Sequence, residues 1–249
     1  MTTDRRSPSL FARALLGYTR LYGEENELSL QAMHGLVLGN QQHGTPPALT
    51  GLPEEHFELH VRLYGPDDAR TIEARDQLAM TLLPSDPHRA GELLRENVDR
   101  ATRSLGENAP ETLEARRAVL DTEHDRLSAC VGLESLLARV REVLPEDITL
   151  IDRIERSLVT VLLELGRTDK ALALTEAGIV GARTRFGPMH PDTLMRRGFH
   201  VLVLNEVGEV DRARLLVRKL LDDCETVLDG TKLTAMVRQL AHELLSLGD

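Results

Sequence analysis

Tryptophan is absent from this chain of 249 residues, and aromatic side chains make up 3% of it. Strands draw heavily on aromatic and β-branched residues, so an all-β architecture has little to build on. Leu, Ala, Arg and Glu are abundant instead, and all four sit well in helices. Cysteine occurs twice, at Cys130 and Cys224, without CxxC spacing. Two reduced thiols serving as small core residues are expected, not a disulfide framework. Lysine stands only at 170, 219 and 232, so the positive charge is almost all arginine. The formal charge of −10 argues against nucleic acid or an anionic membrane as a non-specific partner. No apolar run follows the polar stretch from Met1 to Pro8, so neither a signal peptide nor a membrane-spanning helix is expected, and the expected location is cytoplasmic. Walker A, G-x-G-x-x-G, G-x-S-x-G and HExxH patterns are missing. Phosphate-loop nucleotide binding and nucleophilic catalysis therefore have no support, and no cofactor is expected.

What is present is a recurring motif. Leu63-Tyr64-Gly65 precedes Thr71-Ile72, Leu105-Gly106 precedes Thr112-Leu113, and Phe186-Gly187 precedes Thr193-Leu194. A fainter copy runs from Leu21-Tyr22-Gly23 to Ser29-Leu30. The hydroxyl residue follows the glycine by six positions in all four, and Gly23, Gly65 and Gly106 are 42 and 41 residues apart. A period in this range marks stacked supersecondary units, each burying its apolar face against the next.

Within each unit the pattern reads as helix A, a turn and helix B. The hydroxyls of Thr71, Thr112 and Thr193, and more weakly Thr149 and Thr231, are expected to cap the A helices by accepting first-turn N–H groups. The A-to-B turn is Leu165-Gly166-Arg167 in one unit and Val207-Gly208-Glu209 in another, each followed five residues on by alanine, at Ala171 and Ala213. In the second unit Pro84-Ser85-Asp86-Pro87 takes that place. The expected helices are 8–22, 29–42, 53–64, 71–83, 87–105, 112–126, 128–143, 149–165, 168–185, 193–207, 210–228 and 232–247. The third unit has no turn glycine, so 112–143 can also be read as one bent helix. Residues 1–8 are expected to be disordered and 44–53 an irregular loop, within a single domain spanning 1–249.

The run Arg185-Phe186-Gly187-Pro188-Met189-His190-Pro191-Asp192-Thr193-Leu194 resembles the inter-repeat loop of tetratricopeptide repeats, in the 42-residue variety of kinesin light chains. Thr71 to Ala79, with Arg75, Leu78 and Ala79 in place, is the second-best copy, and the likeness covers most of 21–249. The resemblance implies an all-α, right-handed superhelical solenoid of about five antiparallel helix pairs, with the A helices lining a concave face that binds ligands.

Aligning the A helices puts His34, Asp76, Arg117, Arg156, Gly198 and Arg238 at one inward position. Gln77, Ser157, Phe199 and Gln239 take a neighbouring one, with Arg153 and Asn205 one turn off. Asp76, Gln77, Arg117, Arg153, Arg156, Asn205 and Arg238 are thus the expected ligand-binding residues. Guanidinium forks bind carboxylates bidentately, so the groove is read as partly basic and its ligand as an acidic peptide or chain-terminal carboxylate, held with steep salt dependence. The competing reading pairs these arginines with Glu114, Glu155 or Asp152 on adjacent turns.

His56-Phe57-Glu58-Leu59-His60 places two imidazoles at i, i+4, a spacing that can chelate a transition metal. A third ligand would have to be His34 or His43. Solvated helix-face histidines are the favoured reading, and no metal is assigned. The favoured function is a non-catalytic scaffold for a protein or peptide. A small-molecule-binding or enzymatic protein of a biosynthetic pathway, and a ligand-switched regulator that sequesters a signalling protein, are the alternatives. Leu240, Leu244, Leu245 and Leu247 on the last helix offer an apolar end surface for a homodimer.

Overall fold

The structure, a computed structural model, describes residues 10–23, 25–43, 51–228 and 230–246. Among these residues there are twelve helices and no strand: α1 Leu10–Tyr22, α2 Glu27–His43, α3 Leu52–Tyr64, α4 Ala69–Leu82, α5 Pro87–Leu105, α6 Pro110–Asp121, α7 Arg126–Val143, α8 Ile148–Glu164, α9 Thr168–Phe186, α10 Pro191–Glu206, α11 Val210–Leu228 and α12 Lys232–Ser246. Residues 1–8 and most of the expected loop lie outside the described residues. Leu52 and Pro53, read as part of that loop, open α3, with proline in the first turn where its missing N–H costs nothing. The third unit is two helices, not one bent helix. α6 stops at Asp121, five residues short of the expected end, because Asp125 Oδ1 accepts the Leu127 N–H at 3.0 Å and starts α7 afresh. An aspartate therefore supplies the turn that glycine supplies elsewhere.

The chain forms two compact units, one of residues 1–123 and 139–150, the other of residues 124–138 and 151–249. In the first, Ala79, Ala90, Leu94 and Ala118 join α4, α5 and α6 in a buried cluster, while Leu36, Val37 and Leu52 hold α2 to α3. In the second, Val201, Leu204, Ala213, Val217, Ala241 and Leu244 make the core of α10, α11 and α12. Ala90, Ala129, Ala171 and Ala213 occupy the fourth position of α5, α7, α9 and α11, and each is completely buried. A larger side chain there has no room, which accounts for the alanine that follows each turn. Leu244 is buried in this core, and Leu240 and Leu245 pack against it, each partly buried. Leu247 lies outside the described residues. Cys130 and Cys224 are free and buried, as expected of core thiols.

The threonine caps need correction. The residue that precedes each A helix is Asn26, Asp68, Ala109, Asp147, His190 or Thr231, so of the expected caps only Thr231 caps, accepting from the Thr234 N–H at 3.3 Å. Thr149 sits inside the first turn of α8, whose cap is Asp147. The motif hydroxyls sit three residues after the cap and are donors, not acceptors. Ser29 Oγ donates to Gly23 O, Thr112 Oγ1 to Gly106 O and Thr193 Oγ1 to Gly187 O, all at 2.8 Å. Thr234 Oγ1 makes the same reach of six residues to Leu228 O at 2.7 Å. Thr71 differs, donating to His60 O at 3.1 Å. Gly106 and Gly187 have φ of +96° and +92°, a region glycine enters without penalty, and their carbonyls accept these hydroxyls. The hydroxyl fastens α2, α4, α6, α10 and α12 to the helix before each; α8 has Leu150 at this position. That bond is the physical content of the six-residue spacing.

All five of these hydroxyl residues are buried, so each hydroxyl must find its partner inside the protein. Thr193→Val keeps the shape but strands the Gly187 carbonyl, and is expected to cost about 1–2 kcal/mol. A melting temperature lower by roughly 2–8 °C is the corresponding readout. An unchanged melt would show the bond to be dispensable.

Candidate functional site

In the second unit the A-type helices α8, α10 and α12 line a groove of about 500 Å³. Counted from the latch position (Leu150, Thr193 and Thr234), its walls are the residues two, five, six and nine places on. They are Asp152 and Arg156 from α8, Met195, Gly198, Phe199 and Leu202 from α10, and Met236, Gln239, Leu240 and Glu243 from α12, to which α12 adds Leu233 and Val237 outside this spacing. These positions share one helix face. Met195, Leu202 and Met236 are each about half exposed there, at 46%, 48% and 58%, although a soluble fold gains by covering such side chains.

The groove's charges are already matched. Arg156 donates to Asp152 at 2.7 Å and its guanidinium lies 4.4 Å from the Phe199 ring centre. Arg196 bonds to Glu155 and reaches Asp152 at 3.4 Å. A Cβ added to Gly178 of α9 would meet Arg196 Nη1 at 2.8 Å, so glycine there makes room for that ion pair. Gln239 Nε2 donates to Glu243 at 3.0 Å.

Of the residues expected to bind ligand, Arg156 lines this groove. Arg238 does not: the latch of α12 is Thr234, which shifts that helix's register and puts Gln239 in the wall, while Arg238 turns to Glu225 of α11 at 2.7 Å. Arg153 and Asn205 are exposed and are not among the wall residues. Asp76, Gln77 and Arg117 belong to the first unit. There Arg117 is bound by Glu114 at 2.8 Å and by Asp121. The competing reading of the arginines as ion-paired to nearby acids therefore describes Arg117 and Arg156. The apolar wall residues Met195, Leu202 and Met236 were missed. Their signal lies in the offset from the latch threonine, once that residue is assigned.

The first unit brings three histidines together. His56 and His60 of α3 have ring centres 4.3 Å apart, and His34 of α2 approaches His56 at 5.7 Å. The solvated-histidine reading fails here, because α2 packs over this face and leaves His56 1% exposed and His60 buried. His60 Nδ1 lies 2.8 Å from the His56 carbonyl. A carbonyl can only accept, so Nδ1 carries the hydrogen and Nε2 the lone pair. Gln77 Nε2 lies 3.2 Å from His34 Nδ1, which places that expected ligand residue beside the histidines. Neither ring nitrogen of His56 has a hydrogen-bond partner. Burial, then the nearby charges of His60 and His34, pull the His56 pKa from 6.5 to about 3. The side chain of His43 lies outside the described residues.

No protein-family model and no curated protein matches this sequence. Solved structures do resemble it. A Podosopora anserina protein described as a kinesin light chain with nearly identical TPR-like repeats superposes with a TM-score of 0.59 at 16% identity, over 81% of this chain and 97% of its own. A point variant of it gives 0.59 at 17% identity, over 79% and 95%. A thermophilic TPR protein of Thermus thermophilus has 23% identity over 86% and 99%, with a TM-score of 0.47. Among the described residues no helix is long and apolar enough to cross a membrane. With its helical hairpins, its hydroxyl latches and the likeness to the two Podosopora anserina structures, this chain has the tetratricopeptide-like all-α helical-repeat solenoid fold.

Proposed function

We propose that the second unit is a non-catalytic binding scaffold that grips a short segment of a partner protein through two or three large apolar side chains. The observation that carries this reading is the cluster of half-exposed Met195, Leu202 and Met236 in one groove with Phe199 and Leu240. Taking such a side chain from full exposure to burial contributes about 1.5–3 kcal/mol, so covering the exposed half of each contributes about 1 kcal/mol, and the anchors together offset the ordering of a peptide with affinity in roughly the micromolar-to-millimolar range. Methionine suits this task because its flexible thioether adapts to the shape it meets. An acidic ligand gains less than the sequence suggests. Arg156 already faces Asp152, and Glu243 adds a carboxylate to the same wall. Rim charges that are already paired contribute little to affinity.

The test is selection of peptides from a random library on the purified full chain, followed by titration of the best binder. Selected peptides should carry spaced large apolar residues. Affinity should change by less than about threefold between about 0.05 and about 0.5 M salt. The double variant Leu202→Glu/Met236→Glu, at two exposed positions, should bind at least about tenfold more weakly with an unchanged circular dichroism melt. Equal binding by the variant, or enrichment of acidic peptides released by salt, would overturn the reading.

A further inference from the structure

The His34, His56 and His60 cluster is unrelated to the groove and asks for its own explanation. These side chains line a cavity of about 170 Å³ that is open to solvent, with Glu27, Tyr64 and Glu73 also on its wall. Two observations point to a ligand there. First, His56 is 1% exposed and both of its ring nitrogens lack a hydrogen-bond partner. A buried imidazole in that condition costs stability unless something else engages it. Second, His60 donates its Nδ1 hydrogen to the His56 carbonyl at 2.8 Å, leaving Nε2 with its lone pair. A backbone carbonyl on the far nitrogen is the usual support for a metal-ligating histidine, since it fixes the tautomer and the ring orientation.

We propose that His34, His56 and His60 bind a divalent transition-metal ion that prefers imidazole, of the zinc class. Neutral imidazoles are the ligating form, and His56 and His60 supply the i, i+4 pair from one helix face. His34 supplies the third nitrogen from α2, so the ion bridges α2 and α3. Glu27 and Glu73 on the same wall offset the ion's charge, and Arg70, which also lines the cavity, is paired with Asp68. Among the described residues no group of three or more His, Cys, Asp or Glu side chains is placed to hold a metal ion as the structure stands. Closure therefore turns the His34 ring away from Gln77, 3.2 Å from its Nδ1, and brings the His56 ring toward the cavity. Imidazole nitrogens then sit about 2.0–2.1 Å from the ion, with a fourth position left for water or a carboxylate.

The test uses chelator-treated full chain titrated with Zn²⁺ by calorimetry and with Co²⁺ by visible absorption. The wild type should take up one ion with micromolar or tighter affinity and show the d–d bands of a low-coordinate Co²⁺ site. It should also melt at a higher temperature with Zn²⁺ present. His34→Gln and His60→Gln, which keep polar side chains, should each weaken binding at least about tenfold, and His56→Leu should abolish it. His88→Gln and His242→Gln, at exposed histidines, should leave it unchanged. Absence of Co²⁺ bands in the wild type would overturn the proposal, as would binding that survives His34→Gln or disappears with the exposed-histidine variants.

Discussion

Asn97→Ala should lower the stability of the first unit by about 3 kcal/mol, the largest single-residue effect expected in this chain. Arg75 is a charged side chain that is 2% exposed. Its Nη1 donates to Asn97 Oδ1 at 2.9 Å and its Nη2 to Pro66 O at 3.1 Å, and Asn97 Nδ2 donates to Ile72 O at 2.8 Å. One amide thus bonds a buried guanidinium and a helix carbonyl together, while Arg75 Nε has no hydrogen-bond partner. Truncating it leaves Arg75 Nη1 without its acceptor and takes the additional donor from the Ile72 carbonyl of α4, and a buried charged group that loses a hydrogen bond costs about 1–3 kcal/mol. The cavity left behind adds to that cost. A drop of roughly 6–12 °C in melting temperature is expected. The double change Arg75→Met/Asn97→Leu, which removes both polar partners, should recover most of the loss, because apolar replacement of a whole buried polar pair is close to neutral. If Asn97→Ala melts with the wild type, the network carries no stability.

The second large effect is a pH dependence in the metal-free chain. Unfolded, His56 takes a proton near its ordinary pKa of 6.5; folded, it resists protonation down to about 3, because burial and the charges of His60 and His34 penalise the cation. Between those values the unfolded state binds more protons, so stability rises with pH and falls as pH drops from about 6.5 toward 3. Each pH unit in that window is worth up to about 1.4 kcal/mol, and the whole amounts to about 3 kcal/mol once partial access of water is allowed for. Burial also lowers the pKa of His200 in the second unit, which acts in the same direction there. His56→Leu isolates the first contribution, since carboxylate titration is common to both proteins. With chelator present, urea midpoints for wild type and His56→Leu should diverge steadily as pH falls below about 6.5. Parallel curves would mean that His56 titrates freely in the folded chain.

Most of the helical framework was legible in the sequence because its signals are local. Gly166, Gly208 and the proline-flanked turn of the second unit mark helix ends through backbone conformation, and the alanines after them mark tight crossings. The roles of the motif threonines were not legible in the same way. A hydroxyl near a helix start is compatible with accepting from the first turn or with donating backward, and packing of the preceding helix decides which. The same ambiguity moved α12 by one position, so that Arg238 was read as inward beside Gln239, whereas Gln239 alone of the two lines the groove. Pairing of Arg117 and Arg156 with acids on adjacent turns was legible as the competing reading, whereas the Arg196–Glu155 pair was hidden because its partners lie 41 residues apart. The histidines looked solvated because one helix alone cannot show that another covers it. His34 approaches from α2, and no periodicity within α3 announces it.

The most direct test of the binding account uses the six methionines as probes. Methionine-methyl NMR spectra of the full chain should be recorded while the selected peptide is added. The resonances of Met195 and Met236, both in the groove wall, should shift and broaden together at the concentration where binding is seen by calorimetry. Those of Met33 and Met80, in the first unit, should stay in place. Shifts confined to Met33 and Met80, or binding that leaves Met195 and Met236 untouched, would contradict the account.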